Sequence, residues 1–84
     1  MMNLINKEMD FYGLDNEMEA LGFYSEGEIL SNDDTLQEII ESGVICYTKE
    51  NGEMVRVEFE VTILADREEE TLSATYIKVK EISQ

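Results

Sequence analysis

The chain has 84 residues, 43% of them hydrophobic, and its 20 acidic and 6 basic side chains give a formal net charge of −14 at pH 7. This length is enough for one domain with one modest core, and the hydrophobic fraction is typical of a folded protein rather than a disordered one. The charge excludes direct binding to nucleic acid or to anionic membranes, and it favours a basic protein surface as the partner.

The sequence also lacks the residue types on which most enzymes depend. Histidine is absent, so the commonest general base and every triad or Cys/His pair built on it are missing. The glycines are dispersed, which excludes a glycine-rich phosphate loop. The acid-rich stretches 31–35 and 65–70 lack the ligand spacing of a calcium-binding loop. We therefore predict a protein that is not an enzyme, with no catalytic residue, no metal site and no cofactor.

The compartment is inferred from cysteine usage and from hydropathy. Cys46 is the single cysteine, which rules out an intramolecular disulfide, and its strand-like surroundings favour a buried, unreactive side chain. No apolar stretch approaches the roughly 18 residues of a membrane span, and residues 1–10 do not resemble a signal peptide. We expect a cytoplasmic protein.

The first half of the chain, residues 1–43, is predicted to be mainly helical and carries eleven acids against one base. Helical spacing of apolar residues predicts a short leading helix on Leu4, Ile5, Met9 and Tyr12. A second short helix is predicted to begin at Asn16, with Glu19 completing a capping box and Gly22 ending the helix. The side chains of this second helix that we expect to face the core are Met18 and Leu21.

The clearest helix prediction covers residues 33–42. Leu36, Ile39 and Ile40 form one apolar stripe, and Gly43 is a natural C-terminal stop. The candidate N-caps are Ser31, Asn32 and Asp33. Before this helix, the doublets Phe11–Tyr12 and Phe23–Tyr24 each place two aromatic rings side by side. Because adjacent residues cannot both face the core, one ring of each pair is expected to be exposed.

The second half, residues 44–84, is predicted to form an antiparallel sheet that begins with a hairpin at Asn51-Gly52. A type I′ turn there pairs Thr48 with Val55 and Cys46 with Val57. Tyr47 then lies opposite Arg56 as a cation–π pair on the outer face. In this register the core face is formed by Val44, Cys46, Val55, Val57, Phe59, Val61 and Ile63, and the outer face includes Ile45, Tyr47, Met54 and Arg56.

A third strand is predicted to pair back across residues 66–70, which would form the charged tip of a second hairpin. Ile77 and Val79 then face the core near Val61 and Phe59. The same register sets Lys78 beside Glu60 and Lys80 beside Glu58, where opposite charges stabilise the pairing.

Together these elements predict an α+β fold in a single domain, 1–84. A three-stranded antiparallel β-meander near 44–49, 54–64 and 72–82 carries the helix 33–42 on one face, and short N-terminal helices complete the core.

In size, in charge and in its lack of catalytic residues the chain resembles the small acidic inhibitors that phages encode, among them DNA mimics and anti-CRISPR proteins. This resemblance rests on no shared motif, and no functional residue is transferred from it. It implies a partner with a basic, nucleic-acid-binding surface, in the cytoplasm of a phage-infected or prophage-bearing bacterium. From the unpaired acids and exposed aromatics we predict as partner-binding residues Glu17, Glu19, Glu26, Glu28, Glu38, Glu41, Asp66, Glu68, Glu69, Glu70, Tyr12 and Tyr24.

Two alternatives remain open at this point. In the first, the acidic surface serves solubility alone. In the second, the chain is a structural or regulatory interaction module that pairs through its sheet edges, or that forms a homodimer through an outer sheet face of Ile45, Tyr47, Met54 and Leu64.

Overall fold

The computed structural model describes residues 4–25, 29–66, 68 and 71–84, and within them it has an α+β fold. The elements are β1 (Glu8–Asp10), α1 (Phe11–Ala20), β2 (Tyr24–Ser25), α2 (Asp33–Ser42), β3 (Val44–Thr48), β4 (Met54–Ile63) and β5 (Tyr76–Ser83), with 3-10 helices at Ile29–Ser31 and Leu72–Ala74. The strands form one antiparallel sheet in the order β1-β5-β4-β3-β2.

The predicted meander is present as β3, β4 and β5, but the sheet is wider than three strands. β1 pairs with β5 where a leading helix was predicted, and β2 adds two residues beside β3. The ladder beyond β1 continues through Asn6, whose N–H donates to the Val79 carbonyl at 2.7 Å. The leading-helix prediction is wrong because Met9 reaches the core from a strand, next to Ile77.

The turn between β3 and β4 differs from the predicted type I′ turn. The Lys49 N–H donates to the Glu53 carbonyl at 2.8 Å, so the loop consists of the three residues 50–52. Gly52 has φ of 89°, whereas Asn51 does not have the positive φ that a type I′ turn requires. A three-residue loop closed by a left-handed glycine shifts the pairing by one residue relative to a two-residue loop.

This shift reverses the two faces of β3. Tyr47 lies opposite Val55, and Ile45 lies opposite Val57, so both β3 side chains are buried. Cys46 lies opposite Arg56 and is exposed, which corrects its predicted burial and excludes the predicted Tyr47–Arg56 pair. A one-residue slip exchanges core and solvent faces because side chains alternate along a strand.

The register of β4 against β5 is confirmed over the central residues. Phe59 pairs with Val79, and Glu60 pairs with Lys78. A bulge at Lys80 then shifts the ladder, so that Glu58 faces Glu81, and the Lys80 ammonium lies 3.9 Å from Glu60 instead of beside Glu58. The predicted position of Lys80 is wrong because the extra residue of a bulge re-aims the side chains after it.

The connection between β4 and β5 is longer than the predicted hairpin tip. The strand begins at Tyr76 rather than at residue 72, and Leu72 instead lies in a 3-10 helix with its side chain buried in the core. The Thr75 hydroxyl accepts a hydrogen bond from the Ala65 N–H at 3.1 Å, which closes the base of this connection.

Helix α2 is confirmed at its predicted bounds, Asp33–Ser42. The Asn32 side chain accepts a hydrogen bond from the Thr35 N–H, and Gly43 ends the helix in the left-handed region with φ of 74°. Leu36 is fully buried, and Ile39 and Ile40 pack against the core at partial exposure. This helix could be predicted from the sequence because its N-cap, its apolar stripe and its C-terminal glycine all lie within twelve residues.

Helix α1 begins five residues before the predicted cap at Asn16. The Asp10 carboxylate is the N-cap and accepts a hydrogen bond from the Gly13 N–H at 2.7 Å. Met18 is buried as predicted, whereas Leu21, predicted to face the core, is 41% exposed. The buried side chains Phe11, Leu14 and Met18 form one stripe. Leu21 continues this spacing, but the helix ends at Ala20, and as the C-cap before the left-handed Gly22 (φ of 87°) Leu21 has left the helical path.

The core lies between the helices and one face of the sheet. Phe11 of α1 meets Phe59 of β4 edge to face, with ring centroids 5.5 Å apart. The buried cluster consists of Leu4, Phe11, Leu14, Met18, Phe23, Leu36, Ile45, Tyr47, Val55, Val57, Phe59, Leu72, Ile77 and Val79. As expected for the aromatic doublets, Phe11 and Phe23 are buried while Tyr12 and Tyr24 are exposed.

The β3 register predicts the reactivity of the cysteine. In the folded protein Cys46 should react with an aromatic disulfide reagent at a rate close to that of the chain in denaturant, because its side chain lies on the open face. The matched control is the double variant C46A/I45C, whose thiol replaces a 2% exposed side chain and should be protected. Protection of Cys46 with fast labelling of the control would establish the opposite register.

Candidate functional site: an acidic helix layer

The two helices lie on the same side of the sheet. Phe11 and Met18 of α1, and Leu36 of α2, belong to one buried cluster with Val57 and Val79 of the sheet. The other face of the sheet is open, and its central side chains such as Arg56 are in contact with solvent. Side chains of α1 and α2 that point away from the sheet therefore form the opposite surface of the molecule.

Helix α2 presents a stripe of carboxylates on this surface. Asp34, Glu38 and Glu41 are exposed and are spaced four and three residues apart, opposite the buried Leu36. The rise between Asp34 and Glu38 is about 6 Å. Asp33 and Asp34 occupy the first turn, where the helix dipole favours negative charge. Capping explains the acids of the first turn, but it does not explain Glu38 and Glu41.

Helix α1 adds further acids and one aromatic ring. Glu17 and Glu19 are exposed, and Tyr12 is 53% exposed near the start of the helix. Tyr12, Asn16 and Glu19 follow one another at helical spacing along one face. We use the term acidic helix layer for the seven acids of the two helices: Asp15, Glu17, Glu19, Asp33, Asp34, Glu38 and Glu41.

Asp15 links this layer to the sheet. The buried hydroxyl of Tyr47 on β3 donates a hydrogen bond to Asp15 Oδ1 at 2.6 Å. Burial raises the pKa of the Asp15 carboxyl, the Tyr47 hydroxyl partly offsets this, and the nearby Glu19 raises the pKa further. The pKa of Tyr47 is raised as well, first by burial and then by the carboxylate that accepts its hydrogen bond.

The basic residues that the structure describes lie on or beside the sheet. Lys7 precedes β1, Lys49 follows β3, Arg56 is in β4, and Lys78 and Lys80 are in β5. Neither helix contains a basic residue.

The ion pairs show the same separation. Over the described ranges they join Lys49 to Glu53 at 3.6 Å and Lys80 to Glu60 at 3.9 Å, and no helical acid takes part in either. The protein therefore separates a purely acidic helix layer from a sheet that carries both signs of charge.

The structure distributes the predicted partner-binding residues over several surfaces. Glu17, Glu19, Glu38, Glu41 and Tyr12 lie exposed on the helices. The remaining residues do not join them directly: exposed Asp66 and Glu68 lie in the connection before β5, Tyr24 lies on β2, and Glu26, Glu28, Glu69 and Glu70 lie outside the described residues.

Tyr24 belongs to the open side of the sheet rather than to the helix layer. It pairs with Thr48, whose exposed side chain points away from the core-facing neighbour Tyr47. Tyr24 lines a shallow depression of about 380 Å³ together with Gly22, Lys49, Glu50 and Asn51. The Lys49 ammonium lies 4.8 Å above the Phe23 ring, and this cation–π contact links the end of β3 to the residue before β2.

The predicted partner-binding set omits three members of the layer, namely Asp15, Asp33 and Asp34. The helix dipole accounts for Asp33 and Asp34 at the start of α2, and Asp15 precedes the predicted cap at Asn16 but lies inside α1. A signal was present, because no basic residue occurs between Lys7 and Lys49.

The proposed homodimer face is corrected by the β3 register. Ile45 and Tyr47 are buried beneath the helices, whereas Met54 and Leu64 are exposed at opposite ends of β4. Between them the open face carries charged side chains, including Arg56 and Glu60.

The sheet edges are also poorer templates for strand addition than a three-stranded meander would offer. The outer strands β1 and β2 have only three and two residues. On the part of β3 that β2 leaves uncovered, the Val44 N–H is occupied by the Ser42 hydroxyl at 3.2 Å. The part of β5 beyond β1 carries the bulge at Lys80, and charge and irregularity both disfavour pairing there.

Comparison with models of known families, with curated proteins and with solved structures found no match. Within the described ranges, no cluster of three acidic or cysteine side chains is placed to hold a metal ion. In the same part of the chain, no helix is both long enough and apolar enough to cross a bilayer.

The raised pKa of Asp15 predicts the sign of one pH effect. Because the folded state favours the protonated carboxyl, the contribution of Asp15 to stability is complete below its reference pKa of 3.8 and is lost as pH rises through the folded pKa. Wild type should therefore gain stability relative to D15N between pH 7 and pH 3.8. Urea unfolding of both proteins measures this difference, in which the carboxylates that do not interact with Asp15 cancel. A stability difference between wild type and D15N that does not change with pH, or that shifts in favour of D15N as pH falls, contradicts the raised pKa of Asp15.

The Tyr47–Asp15 hydrogen bond also predicts a stability loss. Y47F keeps the buried ring but removes the donor, and we expect a loss of about 1.5 kcal/mol, at the low end of the range for hydrogen bonds to charged groups, since Asp15 is only half-buried. The double variant D15A/Y47F should lose less stability than D15A and Y47F lose in total, because either change alone already removes the hydrogen bond. Additive losses would mean that the contact contributes nothing.

Proposed function

We propose that this protein is a small acidic inhibitor whose acidic helix layer occupies the basic surface of a nucleic-acid-binding protein, in the manner of a DNA mimic or an anti-CRISPR protein. One observation carries the proposal: seven acids and no base lie on the helices, while the described basic residues lie on or beside the sheet. The proposed contact residues are the exposed members of the layer with Tyr12. Tyr24, on the open side, is not among them.

The spacing of the acids suits a surface that binds a phosphate backbone. Asp34 and Glu38 are about 6 Å apart along α2, and two nucleotide steps along one DNA strand span about 6.8 Å. A basic groove that contacts DNA gains affinity by neutralising phosphates and releasing their counterions. Carboxylates at a similar spacing offer the same groove a comparable gain.

The arrangement also lowers the stability of the protein itself. Asp34–Glu38 and Asp15–Glu19 are like-charge pairs four residues apart, and each destabilises a helix by about 0.2–0.5 kcal/mol. Solubility alone requires only net charge, and acids mixed with bases on every face would provide it at lower cost. Partner binding gives a reason for concentrating acids on helices that contain no base, which is why we favour it over the solubility alternative.

The first experiment asks whether the partner uses its DNA-binding surface. The tagged protein captures partners from a bacterial lysate, and a captured protein is titrated with its DNA duplex across a range of salt concentrations. We expect the duplex to displace the acidic protein and the affinity to fall steeply with salt. A complex that is insensitive to both duplex and salt contradicts the proposal.

A matched pair of variants locates the binding surface. E38Q/E41Q removes two charges from the helix layer, and the slope of log affinity against log salt should decrease by about one for each lost contact. E38Q should also be more stable than wild type, by about 0.2–0.5 kcal/mol, because it relieves repulsion with Asp34.

The control for the single variant E38Q is E81Q, which also removes one charge but from the open sheet face, where Glu81 lies opposite Glu58. Its binding and salt slope should match those of wild type. If E81Q weakens binding as much as E38Q, overall charge rather than the helix layer determines affinity.

A further inference from the structure

The last residues of β4 extend past β3. The buried side chains of β4 end at Phe59, and the last four residues of the strand are exposed. β3 begins at Val44, opposite Glu58, so Val61 and Ile63 have a strand neighbour only in β5. Val61 lies on the helix side of the sheet, opposite the buried Ile77, yet it is 37% exposed. Within the described part of the chain, this end of β4 is therefore an edge of the sheet.

A β-bulge places two large apolar side chains together at this end. Val61 pairs with Ile77 and Ile63 pairs with Tyr76, so Thr62 is an extra residue in β4. Without it, Ile63 would follow Val61 on the helix side of the sheet. With it, Ile63 lies beside Tyr76 on the open face.

These side chains are accessible to a partner. Ile63 is 59% exposed, Leu64 is 61% exposed and Tyr76 is 41% exposed. Tyrosine is among the residues that contribute most to protein interfaces, because its ring is large and rigid. We use the term apolar corner for Ile63, Leu64 and Tyr76.

The described charges nearest the apolar corner are mainly negative. Asp10 lies directly opposite Tyr76 on β1, and Asp66 is exposed two residues after Leu64. The closest base along β5 is Lys78, which lies between Glu8 and Glu60 on the neighbouring strands. An occupant of the corner must therefore bring apolar side chains flanked by positive charge.

We propose that the apolar corner binds a basic amphipathic segment of a protein partner, with apolar side chains on Ile63, Leu64 and Tyr76 and with lysine or arginine directed at Asp10 and Asp66. A second copy of this chain fits poorly, because it would bring the same acidic rim and a further net charge of −14. The proposal does not depend on binding by the acidic helix layer, which lies across the sheet.

A synthetic helical peptide of leucine and lysine, of about 14 residues or four turns, serves as the probe. One control peptide replaces each leucine by alanine, and another replaces each lysine by glutamate. Binding is measured by calorimetry at about 0.3 M salt, where screening weakens purely ionic contacts. Backbone amide shifts then locate the bound peptide.

We expect the leucine/lysine peptide to bind and to shift the amides of residues 61–64 and 76, while both control peptides bind far more weakly. The variant I63S/L64S should lower the affinity about tenfold. The matched control is L21S, which changes another exposed leucine outside the corner and should bind as wild type. Thermal melts establish that all variants fold, which is expected because the changed side chains are exposed.

Three results would overturn the proposal. They are equal binding of the alanine peptide, unchanged affinity of I63S/L64S, and amide shifts confined to α1 and α2. Sedimentation velocity of the protein alone should show a monomer, and a dimer abolished by I63S/L64S would assign the corner to self-association instead. E38Q/E41Q should retain peptide affinity at this salt concentration. Failure of the apolar-corner proposal would therefore appear as loss of peptide binding, and failure of the inhibitor proposal would appear as absence of competition with DNA.

Discussion

The pairing of β3 with β4 is the constraint on which the rest of the structure depends. The three-residue loop closed by Gly52, with φ of 89°, directs Ile45 and Tyr47 to the core and Cys46 to solvent. Tyr47 in turn donates its hydroxyl to Asp15, which attaches α1 to the sheet by a polar contact in addition to the apolar core. A slip of one residue would expose the tyrosine, bury the cysteine and leave Asp15 without this donor.

This register also underlies the separation of charge. Once both helices cover one face of the sheet, the strands keep an open face on which Lys80 forms an ion pair with Glu60. The helices have no base of their own, and five of their seven acids are exposed to solvent: Glu17, Glu19, Asp34, Glu38 and Glu41. Their mutual repulsion opposes folding, and the apolar core offsets it. The proposed inhibitor function gives this repulsion a use, because a basic partner surface would relieve it.

Bulges give the two ends of the sheet different surfaces. The extra residue Lys80 interrupts the ladder between β5 and β4, while the extra residue Thr62 turns Ile63 toward Tyr76. The molecule thus presents an acidic helix layer on one side and an apolar corner at one end of the sheet. The two surfaces differ in chemistry, so salt weakens binding to the first more than binding to the second. A partner that contacts both would gain ionic and apolar contacts together.

The sequence by itself determined the elements whose signals are local or repeated. The cap, stripe and stop of α2 lie within one short segment, and the alternation of β4 and β5 aligned Phe59 with Val79 and Glu60 with Lys78. It also showed that acids without bases are concentrated in the first half of the chain.

The tertiary structure decided the turn between β3 and β4, because Asn-Gly suits both loop lengths and only core packing selects between them. It also decided β1 and β2, since strands of three and two residues form only where β5 and β3 provide hydrogen-bonding partners. Which acids share a surface depended on these long-range pairings, and local sequence patterns do not encode them.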